Sequence, residues 1–298
     1  MTDTKPLLIA GATGYGRWPA NSLEGALRCL ALPNDGIEID VQITSDGHVV
    51  AHHDYRLSRD HARLDGEWLP EAGAPLKTLT LEALQSYDIG RLRPDSAYAL
   101  RYPDREDMDG VRIPTLRSLL QALKATPGAA RMIYVEIKTD PQNPEDAPEP
   151  GRIVDAVFAD LEAEDYVEHA KIIAFDWQVL RLSTERWPRI KTAHLTIPAS
   201  LSSKPAQEGP SPWRDGYDSA DHGGSDLAAI KAHGGMEWSP YFTEVTAERM
   251  AEAAGLGLRV GPWGLSAAAD IDRMLDLGVH SVTVSGPAWG GGRTAAAG

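Results

Sequence analysis

The chain has 298 residues, with 42% hydrophobic and 24% charged residues and a net charge of −14. That length can bury a large α/β core, while the negative charge opposes nucleic acid as a partner because phosphate backbones would be repelled. Cys29 is the only cysteine, which excludes an intramolecular disulfide and a cysteine-rich zinc site. No apolar run of roughly 18 residues occurs, so no integral membrane contact is expected. The polar start of the chain lacks a long apolar leader and predicts a cytoplasmic protein.

In chain order, apolar runs that read as barrel strands fall at 7–10, 36–41, 132–138, 171–175, 192–197, 235–239, 257–263 and 281–285. A hairpin strand at 49–53 follows the second of these. Helical periodicity lies between the strands at 22–32, 115–125, 152–164, 179–186, 225–232, 246–254 and 267–277, with Asn21 or Ser22 able to cap the first helix. Eight strands alternating with helices predict an α/β fold, a (β/α)8 TIM barrel spanning 1–298 as one domain; a doubly wound open sheet is the other solution. Residues 55–112 break the rhythm and read as a small insertion over the barrel mouth, with a short helix at 80–87. The Pro-rich run 141–150 reads as an exposed loop, 199–224 is irregular, and the tail 290–298 is expected to be mobile.

Chemistry concentrates after the first helix, in Gly36-Ile37-Glu38-Ile39-Asp40-Val41 and Val49-Val50-Ala51-His52-His53-Asp54. Glu38 and Asp40 are two apart on a strand, so both carboxylates point to one face. A hairpin pivoting between Asp46 and Gly47 would set Asp40 opposite His53. On Tyr134-Val135-Glu136-Ile137-Lys138, Glu136 and Lys138 again share a face. Glu136 either pairs with Lys138 as a buried ion pair or completes, with Glu38 and Asp40, a site of three hard oxygen ligands suited to Mg²⁺ or Ca²⁺. The glycine run from Gly11 to Gly16 superficially suits a dinucleotide turn. Trp18-Pro19 interrupts it, however, and the helix opens too late to face a pyrophosphate.

The chain resembles the glycerophosphodiester phosphodiesterases along nearly its whole length. The resemblance runs through the Glu38/Asp40 strand, Thr44-Ser45-Asp46-Gly47, His53-Asp54, Asp88-Ile89-Gly90-Arg91-Leu92 and Arg112-Ile113-Pro114-Thr115-Leu116. It continues through Val135-Glu136-Ile137-Lys138, Ala174-Phe175-Asp176-Trp177 and Trp238-Ser239-Pro240, reaching Trp263 and Leu277-Gly278-Val279. It implies a (β/α)8 barrel, one divalent cation (Mg²⁺ or Ca²⁺) on Glu38, Asp40 and Glu136, and His53 as one of two catalytic histidines. It also implies Lys138 on the phosphate, Trp263 in the substrate-binding set, and a small-molecule phosphodiester as partner. The family opens with Ala-His-Arg-Gly, whose His is the other acid/base and whose Arg grips phosphate; an ungapped alignment puts Gly11 and Ala12 in those places, whereas aligning Gly11–Tyr15 with the family's Gly-Ala-Ser-Gly-Tyr deletes the pair, and either way the histidine is absent. Two readings follow: a metal-dependent phosphodiester hydrolase with altered mechanism, or a noncatalytic metal- and phospho-ligand-binding barrel.

Overall fold

The computed structural model describes residues 5–127, 131–202 and 211–285; the tail 290–298 lies outside them. The strands are β1 (Leu7–Ala10), β2 (Gly36–Ile43), β3 (Val49–Ala51), β4 (Arg63–Leu64), β5 (Glu67–Trp68), β6 (Met132–Ile137), β7 (Ala170–Ala174), β8 (Lys191–Thr196), β9 (Glu237–Pro240), β10 (Arg259–Val260) and β11 (Ser281–Val284). Among the described residues, eight of these run parallel in the order β10-β9-β8-β7-β6-β2-β1-β11. The remaining seam is short: His280 N–H donates to Val260 O at 2.7 Å and Thr283 N–H to Pro262 O at 2.9 Å, bringing β11 back to β10. The predicted TIM barrel is therefore the observed fold.

The helices are α1 (Leu23–Leu30), α2 (Leu81–Gln85), α3 (Ala97–Arg101), α4 (Leu116–Ala125), α5 (Pro150–Ala163), α6 (Trp177–Arg186), α7 (Asp226–Ala232), α8 (Ala247–Gly255) and α9 (Ala268–Asp276). Their starts follow capping chemistry. Ser22, Thr115 and Thr246 each accept a hydrogen bond from the first turn of α1, α4 and α8. Helix α5 begins earlier than the periodicity suggests, because Glu149 caps it and Pro150 occupies its first position, where no amide donor is needed. Alternation along β2 sorts the strand: Ile37, Ile39 and Val41 join the core between barrel and helices, whereas Glu38 and Asp40 face inward. A second apolar cluster of Ile9, Tyr134, Ile173, Ala193 and Leu195 includes the partly buried Trp263 at its edge.

Two expectations need correction. The run 257–263 contributes only Arg259–Val260 as strand, since Gly257 is left-handed at φ 68° and Pro262 has no amide to donate. The hairpin register is also displaced by one residue. Thr44 and His48 close the turn, leaving Ser45, Asp46 and Gly47 as a three-residue loop with Gly47 left-handed at φ 88°. Val41 therefore pairs with Ala51, and His52, not His53, lies opposite Asp40, its N–H donating to Asp40 O at 2.9 Å.

Segment 55–112 packs its Leu57, Ala62, Leu76, Leu84, Ile89 and Val111 into an apolar cluster with the flanking Val50 and Ile113. It holds the β4–β5 hairpin, α2 and α3. Helix α3 has five residues and no fully buried one, so it leaves no apolar period in the sequence by which to detect it.

Candidate active site and metal centre

Adjacent parallel strands β2 and β6 are in register so that Asp40 stands beside Glu136. Glu38 is one alternation back on the same face. One carboxylate oxygen from each of Glu38, Asp40 and Glu136 lies within 4.8 Å of the others. Each carboxylate is held. Ala12 N–H donates to Glu38 Oε2 at 2.7 Å. Asn21 donates its side-chain amide to Asp40 Oδ2 at 2.8 Å and accepts the Asp40 N–H at 3.0 Å. Lys138 Nζ donates to Glu136 Oε1 at 2.5 Å and lies 2.9 Å from Asp40 Oδ1. Lys138 thus belongs to the carboxylate cluster itself.

The electrostatics fit a site that wants a cation. Burial pushes Glu38 well above the usual carboxylate range, and the charges of Asp40 and Glu136 push the same way. Glu136 is also raised, chiefly by burial, against the pull of Lys138. Asp40 takes the proton least readily: burial would raise it, but Lys138, His53 and the Asn21 amide together hold it at about 2. Three clustered oxygen donors with this much mutual repulsion match the chemistry of a hard divalent ion.

His53 sits at the lip, its side chain 66% exposed, with Nδ1 2.7 Å from Asp54 Oδ1. Lys138 exerts the largest single effect on it, downward, and desolvation adds to that. Asp40 and Asp54 outweigh both and hold the imidazole above its ordinary value. Next to it His52 is buried, its Nε2 unpaired among the described residues, and desolvation lowers it to about 4.

These groups line a cavity of about 370 Å³, walled by the loop after β1 (Gly11, Ala12, Tyr15), strand ends including Ser239, Trp263 and Ser285, and His61, Tyr98, Arg101 and Arg105 from segment 55–112. A neighbouring cavity contains Lys138, Phe175, Asp176, Leu201 and Trp213, and shares His53, Asp54, Glu136 and Trp263 with the first. Trp263 stands between the two, its ring edge-on to Tyr241 and Phe175 with centroids 5.1 and 5.9 Å away.

The structure thus brings Glu38, Asp40 and Glu136 together, with Lys138 inside the cluster and His53 and Trp263 on the cavity wall. Local spacing marks Asn21 only as a possible helix cap. Ser22 takes that role, its hydroxyl accepting from Gly25 N–H at 2.9 Å. The contact of Asn21 with Asp40 spans 19 positions of sequence, so it arises only when the loop after β1 packs on β2. Tyr15, Arg101 and His61 join the wall only through folding of loops, which no local spacing encodes.

Residues 13–288 match the model of the glycerophosphoryl diester phosphodiesterase family. A glycerophosphodiester phosphodiesterase of Caldanaerobacter subterraneus subsp. tengcongensis is 24% identical over 283 residues, covering 95% of each chain. Among solved structures, a Silicibacter pomeroyi protein assigned as a candidate glycerophosphoryl diester phosphodiesterase superposes with a TM-score of 0.83 at 28% identity, covering 96% of this chain and 92% of that one. An Oleispira antarctica phosphodiesterase, solved with the product sn-glycerol-3-phosphate, shares the fold with a TM-score of 0.66 at 16% identity, covering 94% and 93%. The chain belongs to the glycerophosphoryl diester phosphodiesterase family.

Proposed function

We propose that the protein hydrolyses glycerophosphodiester-like phosphodiesters with one divalent cation, Mg²⁺ or Ca²⁺, held by Glu38, Asp40 and Glu136. The observation that carries this reading is the convergence of those three carboxylates within 4.8 Å on the wall of a cavity of about 370 Å³, in a chain of this family. When bound, the cation acts as a Lewis acid on a phosphoryl oxygen. Lys138 keeps its proton, because Asp40 and Glu136 outweigh the effect of burial, and it holds Glu136 and Asp40 in place. Asp54 fixes Nδ1 of His53 as the donor in their 2.7 Å contact, leaving Nε2 to deliver a proton to the departing alkoxide as a water oxygen replaces it on phosphorus and releases its own proton to solvent. Trp263 supplies an apolar wall against the substrate.

A second reading, a noncatalytic barrel that binds metal and phospho-ligand, is favoured by one observation. Gly11 and Ala12, which an ungapped alignment places at the family's His-Arg pair, line the cavity without an ionisable side chain, and the Ala12 amide donates to Glu38. Turnover of a panel of glycerophosphodiesters and a generic aryl phosphodiester separates the two. Release of glycerol phosphate or aryl alcohol supports the hydrolase. Cation-dependent binding of glycerol phosphate with no turnover of any diester supports the noncatalytic barrel.

A further inference from the structure

The loop after β1 leaves this cavity short of positive charge. Glu38, Asp40, Asp54 and Glu136 all line it. Four carboxylates on one wall repel an anionic phosphodiester unless cationic groups face them. In a partly desolvated site such an imbalance weighs more than it would in water.

Two arginines line the same cavity. Arg105 is already committed: its Nε donates to Trp18 O at 3.2 Å, Nη1 bonds Asp107 at 2.5 Å, and its side chain is 4% exposed. Arg101, the last residue of α3, is different. It makes no ion pair with any described residue, and its guanidinium lies 5.4 Å from the centroid of the Tyr102 ring. Tyr15 and Tyr98 line the same cavity. Tyr15 packs edge-on against Tyr102 with centroids 5.4 Å apart and lies tilted against Tyr98 at 5.9 Å. A guanidinium resting on an aromatic face keeps its N–H edge available while losing little freedom on binding.

We infer that Arg101 binds the phosphoryl group of the substrate, supplying from segment 55–112 the cation that Gly11 and Ala12 do not. This rests on the phosphodiester reading above. The planar N–H fork suits two oxygens of a phosphate, and a charge-assisted pair of this kind exceeds a neutral hydrogen bond.

The test compares the unmutated protein with Arg101→Ala and Arg101→Lys, with Arg117→Ala on the outer helix α4 as a control for net charge. Each is assayed for KM, kcat, glycerol phosphate affinity and Mg²⁺ affinity. Arg101→Ala should raise KM and weaken glycerol phosphate binding about ten- to a hundred-fold, with Mg²⁺ affinity and Tm unchanged. Arg101→Lys should retain part of the affinity, added guanidinium should partly rescue Arg101→Ala, and Arg117→Ala should resemble the unmutated protein. Unchanged constants in Arg101→Ala, or an equal loss in Arg117→Ala, would overturn the inference while leaving the hydrolase reading intact. If the unmutated protein neither turns over a diester nor binds glycerol phosphate with Mg²⁺, both fall. If it binds without turnover, the glycerol phosphate affinities of the variants alone decide the role of Arg101.

Discussion

Asn21 holds Asp40 at two points, donating to the carboxylate at 2.8 Å and accepting the backbone N–H at 3.0 Å. One residue thereby fixes both the strand and the side chain of the most acidic carboxylate in the cluster. Supporting partners of this kind typically contribute 10- to 100-fold to metal affinity. Asn21→Gly should weaken Mg²⁺ binding by about that factor in calorimetry. Glycine is the appropriate replacement because Asn21 is left-handed at φ 51°, so the backbone stays unstrained.

His53 lies at the cavity lip and contributes no oxygen to the carboxylate cluster. His53→Ala should lower kcat by roughly 10²–10⁴ while Mg²⁺ affinity and Tm hold. A variant retaining full metal-dependent turnover removes His53 from the chemistry.

Adjacent His52 and His53 should titrate on opposite sides of the ordinary histidine value in the metal-free protein. His52 is lowered to about 4 by desolvation, whereas His53 is raised by Asp40 and Asp54 against Lys138. The linkage signs follow. Burial of neutral His52 weakens the fold as pH falls from about 6.5 toward about 4, because the unfolded imidazole takes a proton first. The charged form of His53 stabilises below its unfolded pKa, and that contribution fades as pH rises through the folded one. Imidazole NMR titration checks this; a shared midpoint for both rings contradicts it.

Gly36 opens β2 between β1 and β6, and a Cβ there would stand 2.2 Å from Met132 O. A backbone carbonyl in a barrel ladder cannot swing aside. Gly36→Ala should destabilise the protein by about 1–3 kcal/mol or more, read as a lower denaturant midpoint, with KM unchanged in the folded fraction.

Much of this architecture is legible in the sequence because strand chemistry is local. Alternation alone puts Glu38 and Asp40 on one face and Ile37, Ile39 and Val41 on the other, and parallel register then brings Glu136 beside Asp40. The hairpin register is not legible. Asp46-Gly47 suits both two- and three-residue loops; the longer one is selected by the Thr44–His48 closure and by Ser45 N–H donating to Leu79 O, a contact made by segment 55–112. Arg101 is hidden for a related reason: its place on the cavity wall depends on how that segment folds back, and α3 carries no periodic pattern of its own.

Cation-dependent hydrolysis at Glu38, Asp40 and Glu136 is tested most directly by following glycerol phosphate release from a glycerophosphodiester after chelation, then during titration with Mg²⁺ or Ca²⁺. The expected result is no release in chelator, saturable recovery with added cation, and no recovery for Glu136→Gln. Undiminished release in chelator, or recovery in Glu136→Gln equal to that of the unmutated protein, would contradict it.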